Sequence, residues 1–482
     1  MKLYPFQKHV AELLLGGSNV ILQAPTGAGK THAAMLPFLN VLEHNRDFPR
    51  KCIYSVPMRV LANQFVDQYT PLVKRAGRDE QIRVAVQTGD SPRDRKLESD
   101  LIFATIDQTL SSFLLSPYSL SHSQANLNAA AVMASYLVFD EFHLYDPAST
   151  LPTTLHMLMM LKGITPFILM TATFSADMLE ALANLLDAEV VPKTESDKRD
   201  LQALESQQKE RRYHVCADPS QPLSAYHVLN MHEGRSLVIC NTVDRARQIH
   251  KELSNATRHT DTRVILLHSR FLRSDRDAIE DEIRQLFGKE SPKTGSLIVV
   301  STQAIEVGVD ITCTRLHTEL APANAILQRA GRCARYKGDS GDVFIYQYVQ
   351  GSTPDEKIDL LEDFMPYKSQ QAQFAATLAQ FQARDGTVVG FSHEQEIISA
   401  VHGPRDREII DELTVAHYDH RRRMFSGMRG DNRAEASDLI RDNWQQQVTI
   451  HANPDELLEA PFDAPSFGLH PGTLQGYVKT WL

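Results

Sequence analysis

The sequence predicts an α/β protein: two tandem parallel-sheet domains followed by a mostly helical C-terminal accessory region. Three observations carry this. Over residues 1–193, short apolar, β-branched runs alternate with helical patterns, the signature of a parallel sheet flanked by helices. A polar, charged stretch over residues 194–212 then breaks the pattern as an interdomain linker would, and a second alternation of the same kind occupies residues 213–350. Over residues 351–482 helical spacing comes first (Leu360, Leu361, Phe364, then Phe374, Leu378, Phe381), after which Gly, Pro, Asp and Arg become frequent.

Bulk properties narrow the function classes. A chain of 482 residues is too long for one core, which agrees with several domains. Its net charge of −10, from 50 Lys plus Arg against 60 Asp plus Glu, excludes indiscriminate whole-surface attraction to nucleic acid. Any nucleic-acid contact must therefore be a local groove. No apolar run reaches membrane-spanning length and the first residues lack a signal-peptide core, so a cytoplasmic protein without a membrane partner is expected. The five cysteines (Cys52, Cys216, Cys240, Cys313, Cys333) show no Cys-x-x-Cys spacing, and Cys240 and Cys313 read as small core residues.

In the first domain, Val20-Ile21-Leu22 reads as a buried strand feeding Ala24-Pro25-Thr26-Gly27-Ala28-Gly29-Lys30-Thr31. Gly27 and Gly29 let backbone N–H groups wrap phosphate oxygens, Lys30 reaches the β- and γ-phosphates of ATP, and Thr31 offers a hydroxyl to Mg²⁺. Asp140, ending the run Tyr136-Leu137-Val138-Phe139, is expected to hold the same ion, and Glu141 to polarise the attacking water. A phosphate site without turnover needs no such second acidic pair. The helix opened by Thr31 contains Pro37, which is expected to bend it. Residues 111–134 read as an insertion between a helix and the Asp140 strand.

The second domain repeats the strand pattern at Leu237-Val238-Ile239-Cys240, Val264-Ile265-Leu266-Leu267 and Leu297-Ile298-Val299-Val300, but has no phosphate loop of its own. It is expected to contribute to a nucleotide held by the first domain. Gln328-Arg329-Ala330-Gly331-Arg332-Cys333-Ala334-Arg335 spaces Gln328, Arg332 and Arg335 near one and two helical turns, so a helix would put them on one face. Permanently charged guanidinium groups suit a developing phosphoryl transition state. Upstream, Gly308 permits a close backbone approach and Asp310 can orient an arginine or the ribose.

Together these motifs, in order over roughly residues 4 to 345, resemble the superfamily 2 DExH-box helicases, which have two RecA-like domains. The resemblance implies that Gln7, in Tyr4-Pro5-Phe6-Gln7, reads adenine, and that Thr171 and Thr173, in Thr171-Ala172-Thr173, couple hydrolysis to strand movement with His143. It implies nucleic-acid contacts at Pro57, Arg59, Thr88, Gly89 and Thr105 in the first domain, and at Asn241, Thr242, His268, Ser269, Arg270 and Thr302 in the second. Amides and hydroxyls at such loops bind phosphates without reading bases.

A narrower resemblance rests on Asp140-Glu141-Phe142-His143-Leu144-Tyr145-Asp146, on Leu320-Ala321-Pro322-Ala323-Asn324-Ala325, and on Glu306. These segments are similar to the helicase component of type I CRISPR interference. That implies a translocase moving 3′ to 5′ on single-stranded DNA, partnered by a Cascade-like guide-RNA surveillance complex. The metal-dependent HD nuclease that many members carry has an adjacent His-Asp pair, and no such dipeptide occurs here. His417 and His420 read as surface residues rather than ligands. The expectation is a motor like the stand-alone helicase subunits of systems such as subtype I-D, with cleavage by a separate HD nuclease subunit. Two alternatives stay open: a DExH RNA helicase, and an ATP-switched scaffold that clamps DNA without unwinding it.

Overall fold

In a computed structural model of the chain, the described residues are 3–44, 47–57, 59–76, 82–88, 91–92, 94–118, 120–216, 218, 221–289, 291, 295–306, 310–347, 366–367, 370–429, 438–440, 446–449, 453, 455 and 466–469. Leu360, Leu361, Phe364, Gly89 and Gly308, named above, lie outside them, as does the side chain of Arg59. The chain divides into two units, Met1–Gln207 with Phe391–Asp442, and Gln208–Gly390 with Asn443–Leu482.

The first unit is built on β1 (Asn19–Gln23), β2 (Cys52–Val56), β3 (Val84–Thr88), β4 (Ser91–Pro92), β5 (Leu101–Thr105), β6 (Tyr136–Phe139), β7 (Phe167–Thr171) and β8 (Ala188–Val191). Their order across the sheet is β4-β3-β5-β2-β6-β7-β1-β8, and all pairs are parallel except the short β3–β4 pair. Every residue of β1, β2, β5, β6 and β7 is buried. That is the mark of a sheet covered on both faces, and it explains why these strands read as continuous apolar runs.

Successive side chains of a strand point to opposite faces, and the core divides accordingly. Val20, Leu22, Tyr54, Tyr136, Val138, Ile168 and Met170 belong to one apolar cluster, with Phe6 and Val10 of the helix Pro5–Leu15 and Phe38 of the helix Lys30–His44. Ile21, Ile53, Leu137, Phe139, Phe167 and Leu169 belong to the other. That second cluster also takes in Ile409 and Met424, from the helices Phe391–Val415 and His417–Arg429. The C-terminal helices therefore cover one face of the first sheet.

The second unit holds β9 (Glu210–Cys216), β10 (Arg235–Ile239), β11 (Arg263–Leu267), β12 (Leu297–Ser301), β13 (Arg315–Glu319) and β14 (Ser340–Tyr346), in the all-parallel order β11-β12-β10-β13-β14-β9. The helix Gln371–Gln382 packs Phe381 on Tyr213 of β9, ring centroids 5.2 Å apart.

Local departures from the sequence reading have simple causes. The polar 194–212 stretch contains a helix, Glu195–Gln202, because Thr194 and Asp197 form a reciprocal capping box. Pro37 lies inside the helix Lys30–His44 without ending it. The 111–134 stretch carries the end of one helix, Ile106–Phe113, and a second, Ala125–Met133. Among the described residues, no helix is long and apolar enough to cross a membrane.

Candidate nucleotide and nucleic-acid sites

In the first sheet the loops of interest leave the C-terminal ends of β5, β2, β6, β7 and β1, five neighbouring strands. Parallel α/β sheets bind ligands at that edge. Gly27 and Gly29 sit at φ +82° and +90°, where only glycine is unstrained. Gly29 is confined as well, since a Cβ there would lie 2.7 Å from Gln7 Nε2. Gln7 is buried beneath the loop, donating from Nε2 to the Gly29 carbonyl at 3.1 Å and accepting from Tyr4 N at 3.0 Å. Lys30 Nζ donates to the Ala24 carbonyl at 3.1 Å.

Asp140 follows β6 and is almost fully buried. Its Oδ2 accepts from the Tyr54 hydroxyl at 2.8 Å. Burial and the neighbouring Glu141 carboxylate push the Asp140 pKa up to about 7, against the opposing pull of Lys30 and Tyr54. The raised pKa shows that Asp140 holds its negative charge at a cost. With the Thr31 hydroxyl its carboxylate forms an all-oxygen donor set, which fits Mg²⁺ rather than a softer metal.

Glu141 adopts a left-handed backbone, φ 46° and ψ 47°, which turns its side chain out of the strand direction. Its carboxylate lies 3.6 Å from His143 Nδ1, and the same nitrogen lies 3.3 Å from Thr171 Oγ1. Thr173 N donates to Thr171 Oγ1 at 3.2 Å. Burial lowers the His143 pKa to about 4, so the imidazole is neutral at pH 7. The structure thus joins Glu141, His143, Thr171 and Thr173 in one chain of contacts. Asp146 instead organises the next turn, accepting from Ala148 N at 3.0 Å and Ser149 Oγ at 3.0 Å.

Of the expected nucleic-acid residues, Thr88 and Thr105 close β3 and β5 with buried side chains, and Pro57 follows β2 half-buried. In the second unit, Asn241 and Thr242, Thr302, and His268 with Ser269 and Arg270 follow the neighbouring strands β10, β12 and β11. Thr242 caps the helix Val243–Ala256, His268 stacks on Phe271 with centroids 4.3 Å apart, and Arg270 pairs with Asp244 at 3.2 Å.

The arginine segment differs from its sequence reading. Gln328 lies in the helix Ala323–Ala330, but that helix ends at Ala330 and Ala334 takes φ +44°, so Arg332 and Arg335 leave the helix and share no helical face with Gln328. Gly331, the C-cap residue, is where the helical spacing stops applying. Arg332 donates to the carbonyls of Ile305 (3.1 Å) and Glu306 (2.5 Å), and Arg335 pairs with Asp310 at 2.5 Å.

Sequence reasoning missed two residues here. Arg329 is fully buried and donates to Glu306 Oε1 (2.7 Å), Thr318 Oγ1 (2.8 Å), Asn241 Oδ1 (3.0 Å) and Tyr367 Oη (2.9 Å). Tyr54 was hidden inside an apolar strand. The signal for Arg329 was its place on the apolar side of the helix, with Ile326 and Ala330, where a charge must find acidic partners.

The proteins similar to this chain in sequence are helicases. Residues 4–182 match the DEAD/DEAH box helicase family, and residues 232–338 match the C-terminal part of the CRISPR-associated nuclease/helicase Cas3 family. Among them are Cas3 helicases, to which the chain is similar. It is 28% identical over 359 residues to a putative CRISPR-associated nuclease/helicase Cas3 of Methanocaldococcus jannaschii, covering 69% of this chain and 46% of that protein. It is 25% identical over 368 residues to the CRISPR-associated helicase Cas3 of Thermoproteus tenax, covering 72% and 59% respectively. The chain thus spans about half the length of the curated relatives it matches. In fold it is similar to the crystal structure of T. fusca Cas3 with AMPPNP, with a TM-score of 0.66, 19% identity, and coverage of 94% of this chain and 58% of that one.

Proposed function

We propose that the chain is an ATP-driven motor on single-stranded DNA in CRISPR interference, acting with a guide-RNA surveillance complex and leaving cleavage to a separate HD nuclease subunit. The observation that carries the motor reading is the contact chain Glu141–His143–Thr171. It links the group suited to activating water with the segment between β7 and the next helix, so hydrolysis and backbone movement share one set of contacts. The likeness of residues 232–338 to Cas3 supports the CRISPR assignment.

In this reading the amides of the Gly27–Gly29 loop receive the phosphates and Lys30 leaves the Ala24 carbonyl for the β- and γ-phosphates. Thr31 and Asp140 hold Mg²⁺, which when bound supplies charge to the phosphate oxygens. Glu141 orients and deprotonates water. Gln7 attends the base, and the strand-end residues of each unit contact the DNA backbone.

ATP hydrolysis by the purified chain tests this. We expect stimulation by single-stranded DNA to exceed that by RNA, and Lys30→Ala and Glu141→Gln each to reduce turnover about a hundredfold or more. Equal stimulation by RNA points to an RNA helicase, and intact duplex in a strand-displacement assay points to a DNA-clamping scaffold. Metal-dependent degradation of single-stranded DNA that survives Lys30→Ala overturns the separate nuclease.

A further inference from the structure

The helix Phe391–Val415 lies against the first sheet's unit, and its inward face is not purely apolar. Phe391, Gln395, Ile398, His402, Asp406 and Ile409 recur every three to four residues, which puts them on one stripe. Three of these six are polar. Gln395 donates from Nε2 to the carbonyl of Ala172 at 3.1 Å, inside Thr171-Ala172-Thr173. Asp406 is 8% exposed and accepts from Ser175 Oγ at 2.5 Å and from Ser175 N at 3.3 Å. Ser175 in turn caps the helix Ala176–Leu186, accepting from Met178 N at 3.2 Å. From the opposite side, Gln23 holds the Phe174 carbonyl at 2.8 Å.

Anchoring a helix on a sheet requires no buried carboxylate. An apolar side chain of similar volume does it at least as well, because a buried charge must recover its lost hydration. Here the polar groups fall where the segment after β7 bends away from His143, and they fix both ends of residues 172–175 while Thr171 remains in contact with His143. Placement, more than adhesion, is what such contacts provide.

We propose that Gln395 and Asp406 are positioning residues for ATP hydrolysis, holding the Thr171-to-Ser175 segment in register with His143 and Glu141. The C-terminal helical region is then part of the hydrolytic machinery's support and not only a cover for the sheet. This rests on the reading of Asp140, Glu141 and His143 as the hydrolytic centre.

The test is steady-state ATP hydrolysis with single-stranded DNA, resolved into kcat and KM, for wild type, Gln395→Ala, Asp406→Ala, Asp406→Asn and the double alanine variant, with thermal unfolding measured in parallel. We expect each alanine variant to lose about ten- to a hundredfold in kcat with KM little changed, at temperatures where it is fully folded. Asp406→Asn, which keeps an acceptor for Ser175, recovers most of that loss, and the double variant resembles the worse single one because the two contacts act as a unit. Gln395→Ala removes one hydrogen bond and should fold even if Asp406→Ala does not. A fully folded Gln395→Ala with wild-type kcat overturns the proposal while leaving the hydrolytic reading intact. A wild-type chain with no Lys30-dependent hydrolysis overturns that reading, and the positioning role with it.

Discussion

Tyr54 on β2 and Asp140 at the end of β6 meet across neighbouring strands, the phenol donating to Oδ2 at 2.8 Å. One tyrosine is thus tied to Asp140, which we propose holds Mg²⁺ together with Thr31. Replacing the tyrosine by phenylalanine leaves the ring packed against Phe65 and Phe103 and removes only the hydrogen bond. Tyr54→Phe should cost about 1–2 kcal/mol of stability, as a buried acceptor loses its donor. It should also raise the Mg²⁺ concentration needed for half-maximal ATPase. Denaturant titration and a Mg²⁺ titration of turnover measure the two effects, and an unchanged Mg²⁺ requirement would show that the hydrogen bond does not set the Asp140 donor.

Gly29 is constrained twice, by φ +90° and by the Gln7 amide 2.7 Å from where a Cβ would lie. Gly29→Ala should therefore cost about 1–2 kcal/mol from the backbone alone and push Gln7 off the Gly29 carbonyl. Nucleotide affinity, read by fluorescence titration with a labelled ATP analogue, should fall about tenfold or more as the loop loses its phosphate-binding shape. Wild-type affinity in this variant would mean that the loop reshapes on binding.

The strands and the glycine turn after β1 were legible because their signals are local. A strand buried on both faces is a short apolar run, and a tight phosphate turn needs glycine at fixed offsets. What was not legible depends on where chain segments meet. Helical spacing placed Arg332 and Arg335 beside Gln328, yet Gly331 ends the helix between them. Arg329 looked like one more charge in a basic segment, and only the fold brings Glu306, Thr318, Asn241 and Tyr367 around it. Likewise nothing in the spacing of Gln395 and Asp406 points to residues 172–175, from which they are remote in sequence.

Arg329 supplies a sharp stability prediction. It is wholly buried, and its removal leaves Glu306 buried without its ion partner. Arg329→Ala should destabilise the second unit by about 3–5 kcal/mol, the usual effect of stranding one member of a buried pair. Arg329→Lys should recover only part, since an ammonium cannot reproduce the fork that reaches Glu306, Thr318 and Asn241 together. Guanidinium denaturation followed by far-ultraviolet circular dichroism reads this, and a shift below about 1 kcal/mol would assign the charge balance to other groups.

His417 and His420 are half-exposed, and their rings lie tilted against His156, with ring centroids 4.8 and 4.9 Å away. His420 Nε2 lies 3.0 Å from Thr153 Oγ1, and burial followed by the like charges of His156 and Arg423 lowers its pKa to about 4. Burial lowers His156 as well. In the unfolded chain a histidine titrates near 6.5, so between about pH 6.5 and 4 the unfolded state binds protons that the folded state refuses. These groups therefore stabilise the fold above pH 6.5, and their contribution is lost as the pH falls toward 4. Acidification should loosen the helix His417–Arg429 from the helix Thr150–Leu161, which carries Thr153 and His156. Hydrogen exchange of the His417–Arg429 amides should accelerate at pH 5 relative to the intrinsic rate, and His420→Gln, which keeps a polar contact but does not titrate, should flatten that acceleration. Identical pH dependence in wild type and His420→Gln would locate the acid sensitivity elsewhere.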